Sequence, residues 1–165
     1  MSYHIYTTRG IVLAERPLRE ADRIYSVLTR DLGLIQATAL GVRKEPSKLR
    51  GNIEPFSLSS ISLVRGKEHW RATSAEFIKS VPVSPTIARP LALLEQLTQG
   101  EAPHPELFDM VEESVLSLEV NDEMSEIRLV SKILFHLGYL KETDLALGKK
   151  DLVRVINEGI QASHL

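Results

Sequence analysis

The sequence predicts two modules of different class: a five-stranded OB-fold barrel over residues 1–80, then a small all-helical domain over 81–165. Three observations carry this. The first half contains five short segments rich in β-branched and aromatic residues, with alternating burial patterns and turn residues between them. After "SVPVSP" at 80–85 that pattern stops, and apolar residues recur at helical spacing. Charge divides at the same place: residues 1–80 hold 13 Lys+Arg against 8 Asp+Glu, while residues 81–165 hold 7 against 14.

The elements follow in order. "IYTTRGIVLAE", 5–15, reads as a strand, with Gly10 at a bulge or bend. "RPLREADR", 16–23, is polar and reads as a turn or loop with Pro17 near its start. "IYSVLTRD", 24–31, sets Ile24, Ser26, Leu28 and Arg30 on one side and Tyr25, Val27 and Thr29 on the other. "DLG" is a short turn, and "LIQATALGV", 34–42, is the third strand. A basic connection, 43–55, leads to "FSLSSISLVRG" at 56–66, whose alternation shifts at Leu63, and then to "HWRATSAEFI" at 69–78. Five strands with a long connection between the third and fourth match the order of an OB-fold, with an SH3-like barrel as the structural competitor.

In the second half, Ile87, Leu91, Leu94 and Leu97 stripe a helix from Thr86 to Thr98, with Gly100 expected as its C′ residue and Pro90 in its first turn or at a kink. Leu107, Val111, Val115 and Leu118 stripe a helix over 104–120. Ile127, Val130, Leu134 and Leu137 do so over 122–138, a helix with acids in its first turn and Gly138 at its end. Leu152, Val155, Ile156 and Ile160 mark a last helix at 150–163. These stripes read as core, the alternative being a groove for a partner peptide.

Composition limits the chemistry. No apolar run reaches the roughly 20 residues of a membrane span, and the N-terminus lacks the build of a signal peptide, which points to a cytoplasmic protein. There is no cysteine, and no two of the five histidines stand at a helical ligand spacing, so neither a disulfide nor a metal site is expected. No nucleophile elbow and no phosphate-cradling Gly-x-x-x-x-Gly-Lys loop occurs, so the chain does not read as an enzyme, and no cofactor is expected.

The informative stretch is "GVRKEPSKLRG", 41–51. It places Arg43, Lys44, Lys48 and Arg50 within eight residues, between two glycines that allow close backbone approach. Arg9, Arg16, Arg19 and Arg23 precede it, and Arg65, Lys67 and Arg71 surround the last hairpin. Such cations grip phosphates by releasing condensed counterions, without reading sequence. Six of the aromatics lie in the first 80 residues. Phe56 and Phe77, beside aliphatic residues, read as core, whereas Trp70 between His69 and Arg71 is the best candidate for base stacking, with Tyr25 a weaker one. Arg16, Arg19, Arg23, Arg43, Lys44, Lys48, Arg50, Arg65, Lys67, Arg71 and Trp70 are therefore the expected nucleic-acid contacts.

"GIVLAERPLREADRIYSVLTRDLGLIQATALGVRKEPSKLRGNIEPFSLSSISLVRGK" resembles the N-terminal domain of the RecO family of DNA repair and recombination mediators. The resemblance rests on "EADR" (Glu20 to Arg23), the Thr29-to-Gly33 turn, Gly41-Val42-Arg43 and "LRGNIEPF" (Leu49 to Phe56), in that order over about 60 residues. "EIRLVSKILFHLGYLKETD", 126–144, is similar to a helical segment of the family that ends in a Leu-Gly-Tyr turn. Many members carry a four-cysteine zinc motif after that turn; here the motif is absent, so the helical domain is expected to be a shortened version. The resemblance implies a nonenzymatic protein that binds single- and double-stranded DNA, anneals complementary strands and contacts single-strand-binding protein. With a RecR-like protein, and a RecF-like protein as a further partner, it would help load the RecA recombinase. The alternative is an OB-fold protein-interaction adaptor that does not touch DNA.

Overall fold

The computed structural model describes residues 3–44, 47–98, 100–117 and 122–163. Five strands form a closed barrel: β1 (Ile5–Pro17), β2 (Arg23–Thr29), β3 (Gly33–Ala39), β4 (Ser57–Arg65) and β5 (Trp70–Ser80). Their order around the barrel is β1-β2-β3-β5-β4. All neighbours are antiparallel except β3 and β5, which run parallel over Ala37↔Trp70 and Thr38↔Arg71. This is the OB-fold arrangement. β1 joins the two halves of the barrel, because Gly10 and Ile11 pair with both β2 and β4. Gly10 is needed there for space, since a Cβ would stand 2.6 Å from a Val27 methyl. The bulge expected near it falls instead between Val12 and Ala14.

The strands differ from the expected bounds in ways that bear on the site. β1 continues through Arg16 to Pro17, so Arg16 belongs to a strand and not to a loop. Proline is tolerated at that end because it needs no N–H for a ladder that stops there. β3 ends at Ala39, and Val42 turns into the barrel instead of extending the strand. β5 begins at Trp70, leaving His69 in the turn.

The connection after β3 closes one end of the barrel. Val42, Leu49 and Ile53 are at most 5% exposed and pack with Val12, Tyr25, Val27, Ile35, Ile61, Leu63 and Trp70. Leu49 and Ile53 are four residues apart on one helical turn, closed by the Ile53 N–H donating to the Leu49 carbonyl at 3.2 Å. Burying each such side chain contributes roughly 1.5–3 kcal/mol. Phe56 ends the connection at φ 58°, a conformation unfavourable for a residue with a Cβ. Two backbone bonds hold it there, from the Phe56 N–H to the Val12 carbonyl and from the Val81 N–H to the Phe56 carbonyl, both 2.8 Å.

The turn between β2 and β3 explains the Thr29-to-Gly33 spacing. The buried Thr29 hydroxyl donates to the Gly33 carbonyl at 2.7 Å and accepts from the Leu32 N–H at 3.0 Å. Gly33 takes φ 75°, and a Cβ there would lie 2.5 Å from the Ala102 carbonyl oxygen. The chain divides into two compact units, one of residues 1–81 with 100–105 and one of residues 82–99 with 106–165. Gly100, with φ 78°, thus falls in the first unit and is not the C′ residue of the preceding helix, whose C-cap is Thr98 in an extended conformation.

The second unit is helical: α1 (Pro85–Leu97), α2 (Pro105–Leu116), α3 (Glu123–His136) and α4 (Lys149–Ala162), with a 3-10 turn at Glu142–Ala146. Pro85 occupies the first turn of α1, and Pro90 lies one turn further on, buried in a helix that continues past it. Leu118 and Glu119, placed in the second helix by their spacing, lie outside the described residues. Leu97, Leu134, Leu140, Leu152 and Ile156 form a core in this unit. α3 begins at Asp122, which accepts the Ser125 N–H at 2.6 Å. It ends in a Schellman motif: Gly138 at φ 87° donates to the Phe135 carbonyl at 3.0 Å, and the Tyr139 N–H donates to the Leu134 carbonyl at 2.8 Å. That motif is the physical content of the Leu-Gly-Tyr turn.

Two predictions follow from these contacts. Gly33→Ala should destabilise the protein by more than about 2 kcal/mol in denaturant unfolding, through left-handed strain plus the clash with Ala102. Gly51→Ala, also at positive φ but facing open space, should cost less. Arg89 binds Glu126 through two 2.7 Å bonds, and these hold the Glu126 carboxyl below the usual carboxylate range. Because the folded value is depressed, its stabilisation is present above about pH 4.3 and disappears as pH falls through the folded value. Arg89→Met should therefore lower Tm at pH 7 by about 1–4 °C. The difference from the parent should shrink on acidification, as checked by thermal denaturation at several pH values.

Candidate nucleic-acid interface

The register places the basic residues on the barrel. Trp70, Ala37 and Tyr25 occupy one cross-strand row through β5, β3 and β2, and all three side chains are core. The next row, one residue on, lies on the opposite face of the sheet: Arg71, Thr38, Ile24 and Arg16 on β5, β3, β2 and β1. Arg71 and Arg16 are exposed, with half-buried Thr38 and buried Ile24 between them. Three inter-strand steps of about 4.8 Å separate the two arginines by roughly 14 Å.

One basic cluster stands where the β1–β2 loop meets the connection after β3. The Asp22 carboxylate accepts the Gly41 N–H at 2.7 Å. The Arg43 N–H donates to the Ala21 carbonyl at 3.4 Å, and the Arg43 guanidinium to the Glu20 carbonyl at 3.5 Å. Arg23 in turn donates to the carbonyls of Asp22 and Arg19 at 2.9 and 3.3 Å. These bonds bring Arg19, Arg23 and Arg43 to one place. Leu49 turns inward, and its exposed neighbours Lys48 and Arg50 turn out. Arg16, Arg19, Arg43 and Lys44 are exposed as well, and Arg23 is half-buried.

This cluster is not purely cationic. Arg23, Arg43 and Arg50 line an open depression of about 320 Å³ together with Glu15, Glu54 and Tyr25. Tyr25 pairs with Glu15 across the β1–β2 ladder and donates its hydroxyl to that carboxylate. Burial above all, then the charges of Glu15 and Glu54, push the phenol well above its ordinary range, so it remains a neutral donor at physiological pH. The two carboxylates temper the field of the arginines, an effect that the basic run alone does not reveal.

A second cluster gathers at the β4–β5 hairpin. Arg65, Lys67 and Arg71 line a depression of about 750 Å³ with Tyr3, Ile5 and Val64. Arg65 pairs with Glu101, and its guanidinium lies 4.9 Å from the centre of the Trp70 ring.

The aromatic assignments are corrected. Trp70, expected as the exposed stacking ring, is 6% exposed and belongs to the barrel core, where Tyr6 meets it edge-on at 5.3 Å. Tyr25 is 2% exposed. Phe77, expected in the core, is 43% exposed, and Phe56 is half-buried. The causes are local. Trp70 opens β5 on an inward register position. Near the end of β5 a bulge leaves Ile78 unpaired between Ser59↔Phe77 and Leu58↔Lys79, which turns both Phe77 and Ile78 to solvent. Among the described residues, the exposed phenol and phenyl rings of the barrel are Tyr3, Tyr6 and Phe77.

The first unit is thus an OB-fold domain with a basic loop cluster and a separate basic-aromatic depression. Comparisons with known proteins agree with the resemblance. A family model described as Recombination protein O N terminal matches residues 1–81. The chain is 36% identical over 156 residues to a DNA repair protein RecO of Synechococcus sp., a match covering 83% of this chain and 54% of the relative. It is 35% identical over 151 residues to one of Dehalococcoides mccartyi, covering 84% and 58%. Another from that species is 48% identical over 77 residues, covering 47% and 30%. The chain belongs to the RecO family. It spans about half the length of the curated relatives it matches. Among the described residues no group of His, Asp and Glu could hold a metal ion. Among the described residues, no helix is long and apolar enough to cross a membrane.

Asp22, in the "EADR" segment, holds the start of β2 to the basic connection through its bond to Gly41, a contact that charge counting overlooks. Asp22→Ala removes a negative charge beside Arg19, Arg23 and Arg43, so simple electrostatics would strengthen polyanion binding. We expect the opposite, a two- to tenfold loss of affinity for single-stranded DNA, because the loops separate without the bond to Gly41, which is worth about 1.5–3 kcal/mol. Anisotropy titrations of parent and variant at one salt concentration decide the sign.

Proposed function

We propose that this chain is a nonenzymatic DNA-binding mediator of repair and recombination, gripping single- and double-stranded DNA through phosphate contacts. The observation that carries this reading is the bonding of the β1–β2 loop to the basic connection, which gathers Arg19, Arg23, Arg43 and their neighbours at one place on an OB-fold barrel. Gathered cations release more counterions per bound strand than dispersed ones, and they impose little sequence preference. The relatives it matches are DNA repair proteins, which supports the same role.

By extension from the family, the activity includes annealing of complementary strands and help in loading a RecA recombinase onto DNA covered by single-strand-binding protein. RecR-like and RecF-like proteins would be its partners. The first 80 residues supply the DNA grip, and the helical residues 81–165 serve protein contacts. Cytoplasmic placement, with association to the nucleoid during repair, follows from that work.

A salt series of anisotropy titrations tests the core of the proposal. Arg43→Ala with Lys44→Ala should weaken single-stranded DNA binding roughly tenfold or more at low salt and reduce the slope of log K against log salt by about 2. Unchanged affinity and slope in a folded double variant would refute it. A strand-annealing assay with the same variant then tests the mediator role.

A further inference from the structure

The two basic clusters differ in what lies between their charges. At the loop cluster the arginines alternate with Glu15 and Glu54 around a buried tyrosine, so nothing flat and apolar is offered to a ligand. At the hairpin the floor is apolar. Tyr3 is 72% exposed and Ile5 58% exposed, and Ile5 pairs with Val64, which in turn pairs with Arg71. Lys67 and Arg71 rim this floor, and no carboxylate lines the depression among the described residues. Exposed rings and aliphatic side chains next to cations suit a ligand that carries anionic links and flat apolar faces together. A duplex hides those faces in its stack, whereas a single strand presents them.

We infer that the hairpin depression is a single-strand-selective subsite, in which Tyr3, on the Ile5–Val64 floor, stacks an unpaired base while Lys67 and Arg71 hold the flanking phosphates. This rests on the DNA-binding reading above and deepens it. The loop cluster grips backbone of either form, and the hairpin depression holds single-strand phosphates through Lys67 and Arg71 and adds stacking by Tyr3 where bases are free. The row from Arg16 to Arg71 links the two, because Arg16 lies beside the loop cluster and Arg71 in the depression, roughly 14 Å apart. Consecutive phosphates of one strand rise about 3.4 Å along a helix axis and spread further apart when unstacked, so a short single strand can reach from one cluster to the other.

Tyr3→Ala is the decisive variant, since Tyr3 precedes β1 and is largely exposed, which leaves the barrel intact. Three labelled probes of equal length are compared by anisotropy: a thymidine strand, an abasic strand that keeps the phosphates, and a duplex. The parent should bind the thymidine strand more tightly than the abasic one. Tyr3→Ala should lose roughly five- to tenfold on the thymidine strand and leave abasic and duplex binding unchanged. Lys67→Ala with Arg71→Ala should weaken thymidine and abasic strands alike. Equal losses on all three probes with Tyr3→Ala, or no loss on any, would overturn the inference. If the Arg43 and Lys44 double variant nevertheless loses DNA binding, the broader reading stands without this subsite; if neither variant matters, both fall. An acidic peptide with an aromatic residue serves as competitor. Binding of that peptide that depends on Tyr3, with thymidine-strand affinity indifferent to Tyr3, would assign the depression to a protein partner instead.

Discussion

The interface depends on the burial of Val42, Leu49 and Ile53 at one end of the barrel. The connection that carries them is rich in charge and glycine, the composition of a solvated loop. Yet three apolar side chains leave water there, and the burial of each offsets the entropy of ordering its own residue. Once Leu49 points into the barrel, its neighbours Lys48 and Arg50 have nowhere to go but outward. The basic display is therefore a by-product of core packing, and its rigidity comes from hydrophobic burial.

Polar bonds complete what burial begins. Asp22 ties the turn after β1 to Gly41, where the connection leaves β3, and backbone carbonyls at Arg19, Glu20, Ala21 and Asp22 accept from Arg23 and Arg43. Those bonds use part of each guanidinium and leave other N–H groups to face solvent. Glu15 and Glu54 stand in the same depression. These fixed carboxylates partly offset the positive field at this end of the barrel.

Much of the architecture was legible in the chain. Five alternating segments and the long third connection marked the OB-fold, Pro82 and Pro85 marked the change to helices, and the spacing of Leu134, Gly138 and Tyr139 marked a helix end that is a Schellman motif. These features are local, set by side-chain alternation, capping and backbone freedom over a few residues. The site was less legible. Trp70 beside His69 and Arg71 looked exposed because its sequence neighbours are polar, but in a strand the neighbours belong to the opposite face. Phe77 looked buried for the converse reason, and a bulge that no local signal marks turned it to solvent.

The sequence by itself determined which residues could carry positive charge, where strands give way to helices, and that the first half is the basic half. Only tertiary structure decided how those charges group. Arg16 and Arg71 are 55 positions apart in the chain, yet parallel pairing of β3 with β5 sets them on one row. Asp22 and Gly41 meet because antiparallel β2–β3 pairing sets Arg23 opposite Ala39, which brings the start of β2 to the end of β3. The physical reason is that register and closure are fixed by burial summed over the whole barrel, and a one-residue slip would exchange every inward side chain for an outward one.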